Sequence, residues 1–234
     1  MFERTHHRAI ARVLHALDGP LLRERQCLFG GGTAMALRYG EYRESMDIDF
    51  LVSDLPGYRE LRQALTGKSG IAAITRAGAQ PLVQIGELRA DQYGLRTRVQ
   101  VDDAQIKLEV VFGARMTLLP PGEADEVCGV ATLQPLDMAV GKLLANADRW
   151  LDDSVFSRDV IDLAMMNPRL PLLRAALAKA ETAYGEAVRR DLGRAIDRLQ
   201  QRPGRLERCM QVMGMQQPQA QVWQRIRALR RVLA

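Results

Sequence analysis

Two short stretches decide the fold: Phe29-Gly30-Gly31-Gly32-Thr33 and, after a short interval, Met46-Asp47-Ile48-Asp49-Phe50-Leu51-Val52. The second stretch is apolar and ends at turn-forming residues, which predicts a β-strand. Residues two apart on a strand point to the same face, so Asp47 and Asp49 would present paired carboxylates. Ile48 and Phe50 would then face the core.

Paired carboxylates on one face repel each other unless a cation lies between them. Magnesium prefers oxygen ligands and is usually shared with substrate phosphates, which makes it the expected ion, with manganese as an alternative. Gly31 and Gly32 allow the backbone to approach a phosphate closely. Backbone N–H groups where Thr33 opens the next helix can donate to that phosphate. The two stretches together therefore predict a metal and phosphate site.

A second pair of predicted strands carries another acidic side chain. Gly94–Val101 and Gln105–Phe112 flank Asp102-Asp103, which predicts a β-hairpin with the two aspartates in its turn. Alternation along the second arm places Lys107 and Glu109 on one face, where Glu109 could serve as a functional carboxylate. The alternative is a Lys/Glu pair that faces water on an edge strand.

The rest of the chain divides into two parts. A mixed α/β part, residues 1–119, gives way at Leu119-Pro120-Pro121-Gly122 to a helical part, residues 120–234. The fold class predicted is therefore α+β. Helices are expected over residues 3–17, 34–39 and 58–65, and then over 136–151, 155–166, 171–184, 186–201, 205–213 and 219–233.

The order of these motifs resembles a known family. Gly-Gly-Thr, a short helix and then Arg43-x-Ser45-x-Asp47-x-Asp49 in an apolar strand is similar to the signature of the nucleotidyltransferase superfamily, which has the fold of DNA polymerase β. More narrowly, it resembles the AbiEii/AbiGii toxin family, which includes the MenT-type toxins. This resemblance implies a mixed-sheet N-terminal domain followed by an all-helical C-terminal domain.

The helical part supplies a second match. Asp137–Ala145 with Lys142, then Arg149, then Arg158–Leu163 resembles two later elements of the same family. The resemblance implies that Lys142 reaches the triphosphate, while Asp159 and Asp162 hold Lys142 or Arg149 in place. The alternative is a salt-bridge network between helices with no catalytic role.

The resemblance implies magnesium-dependent nucleotidyl transfer. Asp47, Asp49 and Glu109 would hold one or two metal ions between a nucleoside triphosphate and the attacking hydroxyl, and pyrophosphate would leave. The remaining residues expected to bind the nucleotide are Gly31, Gly32, Thr33, Arg43, Ser45, Lys142, Arg149, Asp159 and Asp162.

The resemblance also implies partners. The chain would be the toxin of a toxin–antitoxin pair with an AbiEi-like winged-helix antitoxin, and MenT-type relatives add nucleotides to the 3′ end of tRNA. From Gly185 onward there are eleven arginines and four acidic residues, against 22 basic and 24 acidic residues before it. Such an end suits RNA or an acidic antitoxin. The arginines concerned include Arg189, Arg190, Arg194 and Arg198.

Two other functions remain open from the sequence. One is nucleotidyl transfer to a small molecule or to a protein hydroxyl, and the other is a non-catalytic interaction module. The N-terminus lacks the pattern of a secretory signal and no apolar run is long enough to span a bilayer, so a cytoplasmic protein without a membrane partner is expected. His6, His7 and His15 are interpreted as surface residues. Cys27, Cys128 and Cys209 are interpreted as reduced and buried.

Overall fold

The computed structural model describes residues 2–113 and 116–233, which form two compact units. The N-terminal unit comprises residues up to Glu41 and Ser45–Gln134, and the C-terminal unit comprises Tyr42–Glu44 and the residues from Pro135 onward. The first unit therefore continues past residue 119, where the composition changes. It does so because residues 130–133 join the first strand, where the Leu133 N–H donates to the Phe29 carbonyl oxygen over 3.0 Å.

The N-terminal unit is built on a mixed sheet. Its described helices are α1 (Thr5–Ala16), α2 (Gly19–Glu24), α3 (Gly31–Arg38) and α4 (Leu55–Thr66). The described strands are β1 (Leu28–Gly30), β2 (Ile48–Val52), β3 (Val83–Ala90), β4 (Gly94–Val101), β5 (Ala104–Phe112), β6 (Glu126–Val127) and β7 (Val130–Ala131).

Five of these strands form one sheet in the order β1-β2-β5-β4-β3, and β6 pairs with β7 separately. Strands β2 and β5 are parallel, whereas the other neighbours in the large sheet are antiparallel. The predicted hairpin is confirmed as β4 and β5, with Asp102 and Asp103 in the turn.

Residues alternate between two faces of this sheet. Ile48, Phe50, Val99 and Leu108 are at most 2% exposed and belong to the core. The alternating positions, among them Asp49, Arg96, Arg98, Lys107 and Glu109, are half-buried or exposed. One face is therefore covered by the core, and the other carries the polar side chains.

Two boundaries next to the candidate site differ from the sequence prediction. Strand β2 begins at Ile48, so Asp47 immediately precedes the strand, and α3 begins at Gly31 rather than at Ala34. The left-handed backbone of Gly31, with φ of 68°, lets β1 turn directly into the helix. This turn places the glycines at the start of α3.

The C-terminal unit is helical. Its described helices are α5 (Pro135–Arg149), α6 (Arg158–Met166), α7 (Leu170–Tyr184), α8 (Ala187–Gln201), α9 (Arg205–Val212) and α10 (Gln219–Ala228). Its core is formed by residues such as Leu143, Ile161, Leu177 and Ile196, which are at most 1% exposed. Within the described part of the chain, no helix has the length and apolar character needed to span a membrane. The fold class is α+β, as predicted.

Candidate functional site

The start of α3 lies against the carboxylate of Asp49. A Cβ atom built on Gly31 would lie 2.4 Å from Asp49 Oδ2 and 2.9 Å from Asp49 Cβ, far inside ordinary contact distance. Gly31 is therefore required for two reasons: its left-handed backbone and the close approach of Asp49. Gly32 follows in the first turn of the same helix.

Thr33 connects this helix to the segment before β2. Its side chain is buried at 1% exposure, and its hydroxyl donates to the carbonyl oxygen of Asp47 and lies 2.8 Å from Ser45 Oγ. The Asp47 side chain itself is exposed, while Asp49 is half-buried. Thr33 therefore fixes the backbone that carries Asp47, a positioning role that its hydroxyl fulfils without a nucleotide.

His7 extends this hydrogen-bond network, and its prediction as a surface residue is wrong. Its side chain is fully buried on α1, where Nε2 accepts from the Ser45 N–H over 3.2 Å and Nδ1 lies 2.7 Å from Glu41 Oε1. Burial lowers the pKa of His7, although the hydrogen bond to Glu41 opposes this shift. The neutral ring then donates to Glu41 and accepts from Ser45.

His6 and Glu41 complete the support of this segment. His6 Nε2 lies 2.9 Å from the Met46 carbonyl oxygen. Burial opposes ionisation of Glu41, but hydrogen bonds from the Glu3 and Arg4 N–H groups and from His7 lower its pKa. The helical spacing of His7 with Ile10 and Leu14 places all three on one face of α1 and could have revealed its burial.

Glu109 lies on the strand next to Asp49. The two residues are register partners on parallel strands β2 and β5, so they share the polar face. Glu109 Oε1 accepts from Arg96 Nε over 2.7 Å, and Oε2 lies 2.7 Å from Lys107 Nζ. Arg96 also binds Asp91 over 2.7 Å. Both oxygens of Glu109 thus have a cationic partner.

The candidate ligands for a divalent ion are the carboxylates of Asp47, Asp49 and Glu109. Carboxylate oxygens are the ligands that magnesium prefers, and Asp47 and Asp49 meet that requirement beside the N-terminus of α3. In the part of the chain that the structure describes, no group of three or more acidic, histidine or cysteine side chains is arranged to hold a metal. Glu109 would have to exchange Arg96 or Lys107 for the ion. The assignment of Asp47, Asp49 and Glu109 as metal ligands therefore stays a prediction.

A second group of predicted residues is buried in the C-terminal unit. Asp162 is fully buried and accepts from Arg43 in a bidentate pair, Nε to Oδ1 over 2.6 Å and Nη2 to Oδ2 over 2.8 Å. The Tyr42 hydroxyl also donates to Oδ1 over 2.7 Å. Burial alone would raise the pKa of Asp162, but Arg43 and Lys142 offset this and hold the pKa well below its usual range. Asp162 is therefore ionised.

Lys142 lies between the two aspartates of α6. Its Nζ is 2.6 Å from Asp162 Oδ2 and 3.2 Å from Asp159 Oδ1, and its side chain is 8% exposed. Arg149 makes a bidentate pair with Asp159 at 2.7 and 2.9 Å and is 35% exposed. Burial opposes the ionisation of Asp159, yet Lys142 and Arg149 lower its pKa.

The cluster has three cations and two carboxylates, which gives it a net charge of +1. The sequence placed Lys142, Arg149, Asp159 and Asp162 together, and the structure brings them together. Arg43 belongs to this group rather than to the Ser45 and Asp47 segment that follows it in sequence. The proposed contact of Lys142 with a triphosphate stays a prediction.

The fold and the carboxylate pair define the class of protein. A mixed sheet, a Gly-Gly-Thr turn into a helix, and aspartates at the start of the adjacent strand are the features of a nucleotidyltransferase. A family model described as "Nucleotidyl transferase AbiEii toxin, Type IV TA system" matches residues 15–229. The chain belongs to this family of nucleotidyltransferase toxins from type IV toxin–antitoxin systems.

Two solved structures are similar to this chain, and the one with a TM-score of 0.50 has the same fold. Protein JHP933 from Helicobacter pylori is 15% identical, with a TM-score of 0.50, and the match covers 97% of this chain and 91% of that chain. A candidate nucleotidyltransferase from H. pylori is 16% identical, with a TM-score of 0.49 and coverage of 97% and 94%. A comparison with curated proteins finds no significant match.

Proposed function

We propose that the protein transfers a nucleoside monophosphate from a nucleoside triphosphate to the 3′ end of an RNA, with tRNA as the acceptor, and depends on magnesium. The observation that carries the proposal is the approach of the Asp49 carboxylate to Gly31 at the start of α3. It supports a site where carboxylates and helix N–H groups face the same phosphates. As the family is that of type IV toxins, an AbiEi-like winged-helix antitoxin is the proposed partner in the cell.

The candidate residues of the N-terminal unit would each take one part in this reaction. Asp47 and Asp49 would hold the metal, and Glu109 would join them when one of its cationic partners is exchanged. The bound ion supplies charge neutralisation for the phosphates and for the attacking hydroxyl. Gly31 and Gly32 leave the N-terminus of α3 open to the phosphates, while Thr33, Ser45 and His7 fix the backbone at Asp47.

The chain contributes mainly positioning and electrostatics, as is usual for transfer to and from phosphates. Rigid support matters because a carboxylate displaced by about 1 Å can reduce the rate about 100-fold. The hydrogen-bond network from Glu41 through His7, Ser45 and Thr33 to Asp47 provides this support.

The proposal is tested by incubating the protein with magnesium, total tRNA and each α-labelled nucleoside triphosphate in turn. Label should enter tRNA with at least one nucleotide and disappear with Asp49→Asn. Asp103→Asn, which changes an exposed carboxyl in the β4–β5 turn, is the matched control and should retain transfer. Triphosphate binding without label on RNA would instead indicate a small-molecule or protein acceptor. Absence of both would indicate a non-catalytic module.

A further inference from the structure

The polar face of the N-terminal sheet carries a row of charged residues that begins at the paired carboxylates. Asp49 is the register partner of Glu109, Glu109 of Arg96, and Arg96 of Arg89, on four successive strands. Residues directly opposite in a sheet share a face. The row therefore runs from the acidic site on β2 to basic residues on β4 and β3.

A second row lies two residues further along these strands. It joins Lys107 on β5 to Arg98 on β4. Thr97 and Val99, the neighbours of Arg98, are buried on the opposite face, so the Arg98 side chain leaves the core and is exposed. The first row has two carboxylates and two arginines, so the net positive charge of this face comes from the second row.

The cations of this face differ in whether an acidic side chain neutralises them. Arg96 and Lys107 bind Glu109, and Arg96 also binds Asp91. Among residues 2–113 and 116–233, no acidic side chain lies within ion-pair distance of Arg89 or Arg98, and both are exposed. Their guanidinium groups are available to an anion.

The C-terminal arginines that the sequence suggested for RNA binding are, by contrast, paired with acidic side chains. Each has an acidic partner within the C-terminal unit: Arg189 with Glu181, Arg190 and Arg194 with Asp191, and Arg198 with Asp153. Their positive charge is partly neutralised in place. These four arginines therefore differ from Arg89 and Arg98, which have no such partner among the described residues.

We propose that Arg89 and Arg98 bind backbone phosphates of the acceptor RNA as its single-stranded 3′ end enters the site at Asp47 and Asp49. This inference rests on the proposed function. Three strand spacings of about 4.8 Å separate the backbones of Asp49 and Arg89 by about 14 Å. A terminal hydroxyl at the carboxylates would thus place the phosphates of preceding nucleotides along this face. The forked guanidinium group is suited to phosphate.

Arg89 and Arg98 lie away from the position expected for the triphosphate. A nucleotide bound at Asp49 has its phosphates next to β2 and the start of α3. Arg98 and Arg89 lie two and three strands away from that point. They are therefore placed for phosphates further along an acceptor chain, and nucleotide affinity should not depend on them.

The test compares charge-matched double variants in a binding assay. The probe is a fluorescently labelled single-stranded RNA with a free 3′ hydroxyl, measured by anisotropy over a range of salt concentrations. Arg89→Gln with Arg98→Gln should weaken binding by more than about tenfold at 0.1 M salt and reduce the salt slope by about 1.4, or about 0.7 for each lost phosphate contact. Arg59→Gln with Arg76→Gln, two exposed arginines outside the rows, should leave the slope unchanged.

Several results would overturn the proposal. They are equal losses in both double variants, a loss only with Arg190→Gln and Arg194→Gln, or no RNA binding by the wild type. A titration with magnesium and nucleoside triphosphate completes the test: unchanged affinity in the Arg89/Arg98 variant supports the proposal, and a matching loss contradicts it. Failure of the proposed function would appear separately, as no nucleotide transfer by a wild type that still binds RNA through Arg89 and Arg98.

Discussion

Replacement of Gly31 by alanine tests whether the start of α3 positions the Asp49 carboxylate. Two costs are expected. The left-handed backbone of residue 31, with φ of 68°, is unfavourable for alanine by about 1–2 kcal/mol. The new Cβ would also lie 2.4 Å from Asp49 Oδ2, whereas ordinary contact begins near 3.4 Å, so the carboxylate must move by about 1 Å. A displacement of this size corresponds to about a 100-fold loss of transfer rate.

Gly40 provides the matched control for this prediction. Its φ is 83°, but within the described part of the chain a Cβ there would meet nothing within 4 Å. Gly40→Ala should therefore lose about 1–2 kcal/mol of unfolding free energy in urea from backbone strain alone, yet retain nucleotide transfer within about twofold. Equal transfer by Gly31→Ala and Gly40→Ala would refute the claim that Gly31 is needed to place Asp49.

Three further predictions concern stability and reactivity. Asp162→Ala should lower the free energy of unfolding by about 3–5 kcal/mol, since it leaves buried cations unpaired. Because the pKa of Asp162 is lowered in the folded protein, the wild type should lose this stabilisation only as the pH falls below about 4. A loss below 1 kcal/mol in urea unfolding would contradict it. Burial lowers the pKa of His7, so its contribution is present above about pH 6.5 and is lost as the pH falls through the lower folded value. His7→Gln should flatten that part of the stability profile, and an unchanged profile would count against the neutral ring. Burial raises the pKa of the Cys27 thiol, so mass spectrometry after native alkylation should find label on half-buried Cys128 first, and early labelling of Cys27 would oppose this.

The sequence predicted those parts of the site that depend on local pattern. Alternation of apolar and acidic residues located Asp49 and Glu109 on strands, and turn residues located the β4–β5 hairpin. Parallel pairing of β2 with β5 then made these two carboxylates neighbours. Helical spacing and the family's motifs likewise grouped Lys142 with Asp159 and Asp162.

The sequence could not supply contacts between residues that are far apart along the chain. Arg43 binds Asp162 across 119 positions, and nothing in the local pattern marks this pair. Arg96 was not singled out, because its role follows from its register opposite Glu109. The burial of His7 was visible in the helical period, but its contact with Ser45 required the fold. Ion pairing of the C-terminal arginines was equally hidden from a count of charges.

The most direct test of nucleotidyl transfer at Asp49 follows the α- and γ-phosphates of the nucleoside triphosphate separately. The protein is incubated with magnesium, RNA and a nucleoside triphosphate labelled either at the α-phosphate or at the γ-phosphate, and pyrophosphate release is measured in parallel. Only the α-label should become attached to RNA, in equal amount to the pyrophosphate released, and Asp49→Asn should abolish both. Attachment of the γ-label, or α-label transfer that persists in Asp49→Asn, would contradict nucleotidyl transfer at this site.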